Sequence, residues 1–238
     1  MSTTWGQFKT MVAEKLNPYG DSVVQIDATT YTALFNDRVA RALKEFTQET
    51  KLLFHRGVSV TLSSGATELS TDGLTVSTGR TATMYEVTQV KVASTWIRKT
   101  DAALLLSEDV GTSTNLFAQA RENLLVFDGN PTASQSLTLR GFYDHPDFPG
   151  SSDNAVNGNT ILIPVTQEDI AATWCAAKLL VGVQIDAASE KAYSEMLAIL
   201  GVEIPRLATA NASLTLGYHG LARGRGVPHA IYGRDGTW

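Results

Sequence analysis

The chain has 238 residues, 43% hydrophobic and 18% charged, with a net charge of −5 and a pI near 5.4. That length can bury one good core, or one core plus a small inserted domain, and the acidity argues against non-specific nucleic-acid binding by the body of the protein. The single cysteine, Cys175, excludes an internal disulfide framework and any multi-cysteine zinc site. No apolar run approaches the ~18 residues of a membrane span, and MSTTWGQFKT lacks a charged-then-apolar leader pattern. The expectation is a protein made in the cytosol and either kept there or carried from there into a particle, with no membrane contact.

Residues 3–16 place Trp5, Phe8, Val12 and Leu16 at helical spacing behind Thr3 or Thr4 as the N-cap, and Asn17-Pro18-Tyr19-Gly20 stops that helix. Residues 29–54 predict the strongest helix. Thr29 or Thr30 would cap it, and Leu34, Phe35, Val39, Ala42, Leu43 and Phe46 would form its inner face. From Gly57 to Arg98 the period changes to two. Val58–Leu62, Leu74–Val76 and Tyr85–Val92 read as strands, with turns at 63–65 and 71–73. Thr100–Ser107 predicts a short helix, and Leu124–Phe127 and Leu137–Tyr143 predict further strands around the turn at 128–131.

Residues 144–160 read as a polar loop and Ile161–Ile163 as a short extended piece. Thr166 and Asp169 resemble a capping box for a helix carrying Ile170, Trp174, Ala177, Val181 and Ile185 on one stripe. Ala188–Leu207 predicts another helix with Tyr193, Met196, Leu197, Leu200 and Ile204 inward, kinked or stopped near Pro205. The expected fold is α+β and mainly α. N-terminal helices (1–56) and C-terminal helices (164–207) form one bundle, with a β-rich insertion (57–163) and an extended C-terminal arm (208–238).

The last 33 residues carry Arg206, Arg223, Arg225 and Arg234 against Asp235, a local +3 that leaves −8 on residues 1–205. Six glycines between Gly217 and Gly236 argue against a regular helix. Leu214, Leu216, Leu221, Val227, Ile231 and Trp238 are too apolar for a solvated linker, and Tyr218, His219, His229 and Tyr232 are interleaved with them. A basic, aromatic, extended arm suits a groove on another molecule. Trp238 reads as an anchor for a partner's pocket. The RGRG stretch also resembles single-strand nucleic-acid segments, although four cations are few for that task.

Chemistry-bearing patterns are sparse. Asp144-His145-Pro146-Asp147 is the one His–carboxylate cluster in the sequence, and turn geometry in a solvated loop explains it better than a metal site or general base. An enzyme, a small hydrolase using Asp144, His145 and Asp147, is the competing class. Cys175 reads as a buried thiol, and Trp5, Trp96 and Trp174 as core or strand-packing residues. No phosphate loop, GxSxG or HExxH pattern occurs. No catalytic residue, metal or cofactor is expected.

The order of these segments resembles head-to-tail adaptor (connector) proteins of tailed bacteriophages, especially short-tailed ones. The early helix at 29–50 is followed by Val60-Thr61-Leu62-Ser63-Ser64-Gly65-Ala66-Thr67-Glu68-Leu69. After it come Thr95-Trp96-Ile97-Arg98, the short helix Asp101–Ser107, and Ile163-Pro164-Val165 leading into a helix pair with Ala192-Tyr193. The resemblance is one of order and texture over roughly residues 1–207, and loop 144–160 has no counterpart in it. It implies a structural virion protein of the neck, made in the host cytoplasm, forming a ring of about twelve copies beneath the portal protein. It also implies a downstream tail or nozzle partner, with DNA passing through the lumen without specific binding. The arm that would dock on the portal is Leu214, Leu216, Tyr218, Leu221, Arg223, Arg225, His229, Ile231, Tyr232, Arg234 and Trp238. A head- or tail-completion protein of the neck is the nearest alternative, and a nucleic-acid-binding protein using the basic arm is a further one.

Overall fold

A computed structural model of the protein describes residues 3–19, 33–76, 80–105, 111–146, 158–181 and 187–221. Helix α1 (Trp5–Leu16) starts at a capping box. The Thr4 hydroxyl accepts from the Gln7 backbone N–H, while the Gln7 side chain accepts from the Thr4 N–H at 2.9 Å. Its spacing buries Trp5, Phe8, Val12 and Leu16. Helix α2 (Ala33–Glu49) buries Phe35, Val39, Ala42, Leu43 and Phe46. It ends earlier than the sequence suggests because Lys51 turns into the left-handed region, at φ 49°, and the chain straightens into a strand. The proposed caps Thr29 and Thr30 lie outside the described residues.

Nine strands follow among the described residues: β1 (Phe54–Leu62), β2 (Glu68–Ser70), β3 (Leu74–Thr75), β4 (Thr81–Ala82), β5 (Glu86–Val92), β6 (Thr95–Lys99), β7 (Leu116–Arg121), β8 (Leu124–Phe127) and β9 (Gln135–Phe142). Helix α3 (Ala102–Leu105) lies between β6 and β7. Seven strands join one sheet in the order β1-β9-β5-β6-β7-β8-β2, and β3 and β4 pair separately. Every pairing between these strands is antiparallel except β6 with β7. At Gly141 a β-carbon would collide with the Glu86 carbonyl oxygen, so the β5–β9 contact requires glycine there.

This sheet overturns the expectation of a mainly α bundle with a β-rich insertion. The protein is a mixed, half-barrel sheet of seven strands together with helices. Strands far apart in sequence, β1 and β9, pair directly, so the period-two segments form one open layer with its own core. Val58, Leu62, Met84, Val87, Val90, Phe117, Leu125, Leu137 and Leu139 fill that core.

The C-terminal third begins with a 3₁₀ turn at Val165–Gln167, then helix α4 (Glu168–Leu180). The expected Thr166 cap is absent, with no side-chain capping bond at this N-terminus. Instead the Glu168 carboxylate accepts from the Thr3 hydroxyl at 2.6 Å, and Asp169 pairs with Lys15 at 2.7 Å, so the acids of the first turn hold α1. Ala171, Ala172, Cys175, Ala176, Leu179 and Leu180 are buried against α1 and α2. Val181, expected inside, is exposed, and Ile185 lies outside the described residues.

Helix α5 (Ala187–Leu221) runs 35 residues, through Pro205, Gly217 and Gly220. The first part of the supposed extended arm, residues 208–221, is therefore helical. Helix propensity penalises each of these residues by about 1–3 kcal/mol, and the cooperative length of the helix outweighs them. On α5 Met196, Leu200, Ile204 and Leu207 are buried.

Candidate functional site

The sequence offers two candidate places for function, the His145 cluster and the C-terminal segment. The first is not a solvated loop. His145 is 1% exposed, and Asp144 is also buried, at the seam between helices and sheet. The His145 backbone N–H donates to the Thr47 hydroxyl at 2.9 Å, which itself donates to the Lys44 carbonyl at 2.8 Å. On the ring, Nε2 accepts the Leu162 backbone N–H at 3.0 Å, which leaves the proton on Nδ1 to be donated to the Pro146 carbonyl at 3.1 Å. Burial, helped by the nearby Arg80 and Lys44 charges, pushes the imidazole down to about 3.

Asp144 is spent in the same way. Its Oδ1 accepts the Thr83 backbone N–H at 2.8 Å, its own N–H donates to the Thr83 carbonyl at 3.0 Å, and Lys44 stands 4.0 Å from its other oxygen. Arg80 closes the cluster by donating to the carbonyls of Thr160 and Pro146 at 3.0 and 2.9 Å. Asp147 lies outside the described residues. A neutral imidazole with both nitrogens bonded to backbone has no lone pair to offer a substrate, so His145 is a strut. Among the described residues no group of three or more His, Cys, Asp or Glu could hold a metal ion.

The seam continues beside it. The Tyr85 hydroxyl reaches the carbonyls of Thr47 and Gln48 at 3.4 and 3.3 Å, and Lys51 pairs with Glu86 at 2.7 Å. Burial first, then Glu86, Asp144 and Glu49, raise the Tyr85 hydroxyl's pKa, so it remains a proton donor. The Asn211 amide of α5 donates to the Thr50 carbonyl at 2.7 Å, tying the long helix to the end of α2.

Of the arm residues, Leu214, Leu216, Tyr218 and Leu221 fall on the last turns of α5, whose backbone is helical. Arg223, Arg225, His229, Ile231, Tyr232, Arg234 and Trp238 lie outside the described residues.

What sequence reasoning missed is the outer side of α5. Leu197, assigned inward, is 46% exposed, and Ile199 and Val202 are 51% and 66% exposed. The segment Met196–Val202 carries no charge, which is the signal that was available. Beside it runs an apolar groove of about 370 Å³ between α4 and α5, lined by Trp174, Ala177, Val181, Tyr193, Leu197 and Pro205. Trp174 forms its floor. Its indole N–H donates to the Ala42 carbonyl at 3.0 Å, and the Lys178 ammonium lies 4.7 Å from its ring. Cys175 is buried behind it, and desolvation raises its thiol pKa far above the usual range, so it is no nucleophile.

No helix among the described residues is long and apolar enough to cross a membrane. No known protein family and no curated protein matches the chain.

Proposed function

We propose that the chain is a structural virion protein, a head-to-tail adaptor that packs against copies of itself in a ring beneath the portal and passes the connection on to the tail. The observation that carries this reading is the two-sided apolar character of α5. A helix apolar on one face packs on its own core, whereas one apolar on both faces wants a second partner. Met196, Leu200, Ile204 and Leu207 meet the first need, and Leu197 in the α4–α5 groove, with the exposed Ile199 and Val202, is left for the second. The full engagement of the His145 ring supports a role without catalysis.

The basic, aromatic C-terminal residues, Arg223 through Trp238, supply the docking contact to the portal, since arginine and aromatic groups dominate interface energetics. The test is to mix the purified protein with the portal ring encoded by the same genome and weigh the product by native mass spectrometry. The reading expects a discrete increment of many copies on each ring. It also expects Trp238→Ala to weaken docking by about 2 kcal/mol. A portal that gains no mass overturns the adaptor role and moves the protein elsewhere in the neck or out of the virion.

A further inference from the structure

The strands β1, β9, β5 and β6, neighbours in the sheet, contain Arg56, Lys91, Arg98, Lys99 and Arg140 but one carboxylate, Glu86, which is ion-paired to Lys51 at 2.7 Å. Strand alternation sends Val90, Leu137, Leu139 and Ile97 to the inner core and their neighbours outward. The outer face therefore presents Lys91 on β5, Trp96 and Arg98 on β6, and Thr138 and Arg140 on β9. Lys91 is paired in register with both Thr138 and Trp96. Trp96, read from the sequence as a core or strand-packing residue, packs on this strand face and is 41% exposed. The Arg140 guanidinium stacks 4.3 Å from its ring centroid, and the Lys91 ammonium is 5.8 Å from it.

Arg140 is held for this position. Its Nε donates to the Arg56 carbonyl at 2.6 Å and its Nη1 to the Gln89 side chain at 3.4 Å. Serine and threonine hydroxyls at Ser59, Thr61 and Ser136 border the cations, all three exposed. The chain's net charge of −5 conceals this segregation, because its acids lie almost wholly outside these four strands.

We propose that this outer sheet face is a sequence-independent binding surface for the phosphodiester backbone of a nucleic acid, with Lys91, Arg98 and Arg140 meeting phosphates and the exposed part of the Trp96 ring stacking a base. Phosphates need clustered cations and hydroxyl donors without competing carboxylates. An exposed indole beside those cations favours a nucleic acid over an acidic polypeptide, since bases stack and carboxylates do not. The surface is independent of the adaptor reading and of the C-terminal arginines.

Fluorescence anisotropy of labelled 20-nucleotide single- and double-stranded DNA, titrated with the full chain across a salt series, tests it. Binding that weakens steeply with salt is expected. In Lys91→Gln/Arg98→Gln the affinity should fall at least tenfold at low salt, with a salt slope shallower by about two, one for each cation removed. Trp96→Leu should reduce single-strand binding more than duplex binding. Full binding should survive in Arg223→Gln/Arg225→Gln/Arg234→Gln. The proposal is overturned if the wild-type chain does not bind, if the arm variant loses binding while the sheet variant keeps it, or if polyglutamate of equal charge competes as well as DNA.

Discussion

The ring of His145 and the backbone of Leu162 share a hydrogen bond of 3.0 Å, and through it a residue after the last strand of the sheet fixes the segment that leads into α4. That acceptor role exists only while the imidazole is neutral. In the folded protein the pKa is pushed down to about 3, against an ordinary value of 6.5. Below about pH 6.5 the unfolded chain binds a proton that the folded chain refuses, so stability falls as pH falls towards 3. His55, also lowered by burial, acts in the same direction. Urea unfolding at pH 7.5 and pH 5 should show the loss, approaching ~1.4 kcal/mol per pH unit for His145. His145→Gln should be weaker by about 1–3 kcal/mol at pH 7.5 and lose most of this pH slope. An unchanged slope would mean that the imidazole titrates freely in the fold.

Gly141 sits where β9 pairs closely with β5, with the Glu86 carbonyl oxygen in the space a β-carbon would need. Gly141→Ala should cost more than about 2 kcal/mol, because backbone rather than a flexible side chain must move. Gly158→Ala, where nothing stands within 4 Å, is the control and should melt like the parent. Equal melting of the two variants would show that the sheet tolerates a shift at this pairing.

The uncovered side of α5 separates assembly from folding. Leu197→Lys/Val202→Lys should leave thermal unfolding within about 0.5 kcal/mol, since both side chains are exposed. It should nevertheless suppress self-association, followed by analytical ultracentrifugation with and without the portal. Leu43→Ala, fully buried among the helices, should do the reverse and cost roughly 2–5 kcal/mol.

Pro205 lies inside α5, where it removes one helical hydrogen bond. Pro205→Ala should raise the melting temperature, by up to ~3 kcal/mol in stability. A fall would indicate that the proline ring's contact with the α4–α5 groove outweighs the lost bond.

The stripe Trp5, Phe8, Val12, Leu16 and its threonine cap were legible because everything that makes them a helix lies within four residues. Alternation in Val58–Leu62 announced a strand and its inner face but not its neighbour. The partner, Leu137–Leu139, is nearly eighty residues away, and nothing local names it. That gap turned a sheet into a supposed insertion. His145 misled for another reason: aspartates and prolines around a histidine have the composition of a turn, while burial depends on Thr47 and Leu162, which approach from elsewhere. The run through Gly217 and Gly220 was hidden because propensity is additive along a window and helix cooperativity is not.

The position of α1 also dictates an order of events during synthesis. Its first residues bond to residues 159–161, with the Trp5 N–H on the Asn159 carbonyl at 2.6 Å and the Ile161 N–H on the Thr3 carbonyl at 3.0 Å, and its buried face lies against α4. A ribosome releases the whole sheet by Phe142, but α1 and α2 have no lid until Leu180 has emerged. The sheet can therefore mature first, while the apolar faces of α1 and α2 wait, exposed, for the chain that follows them.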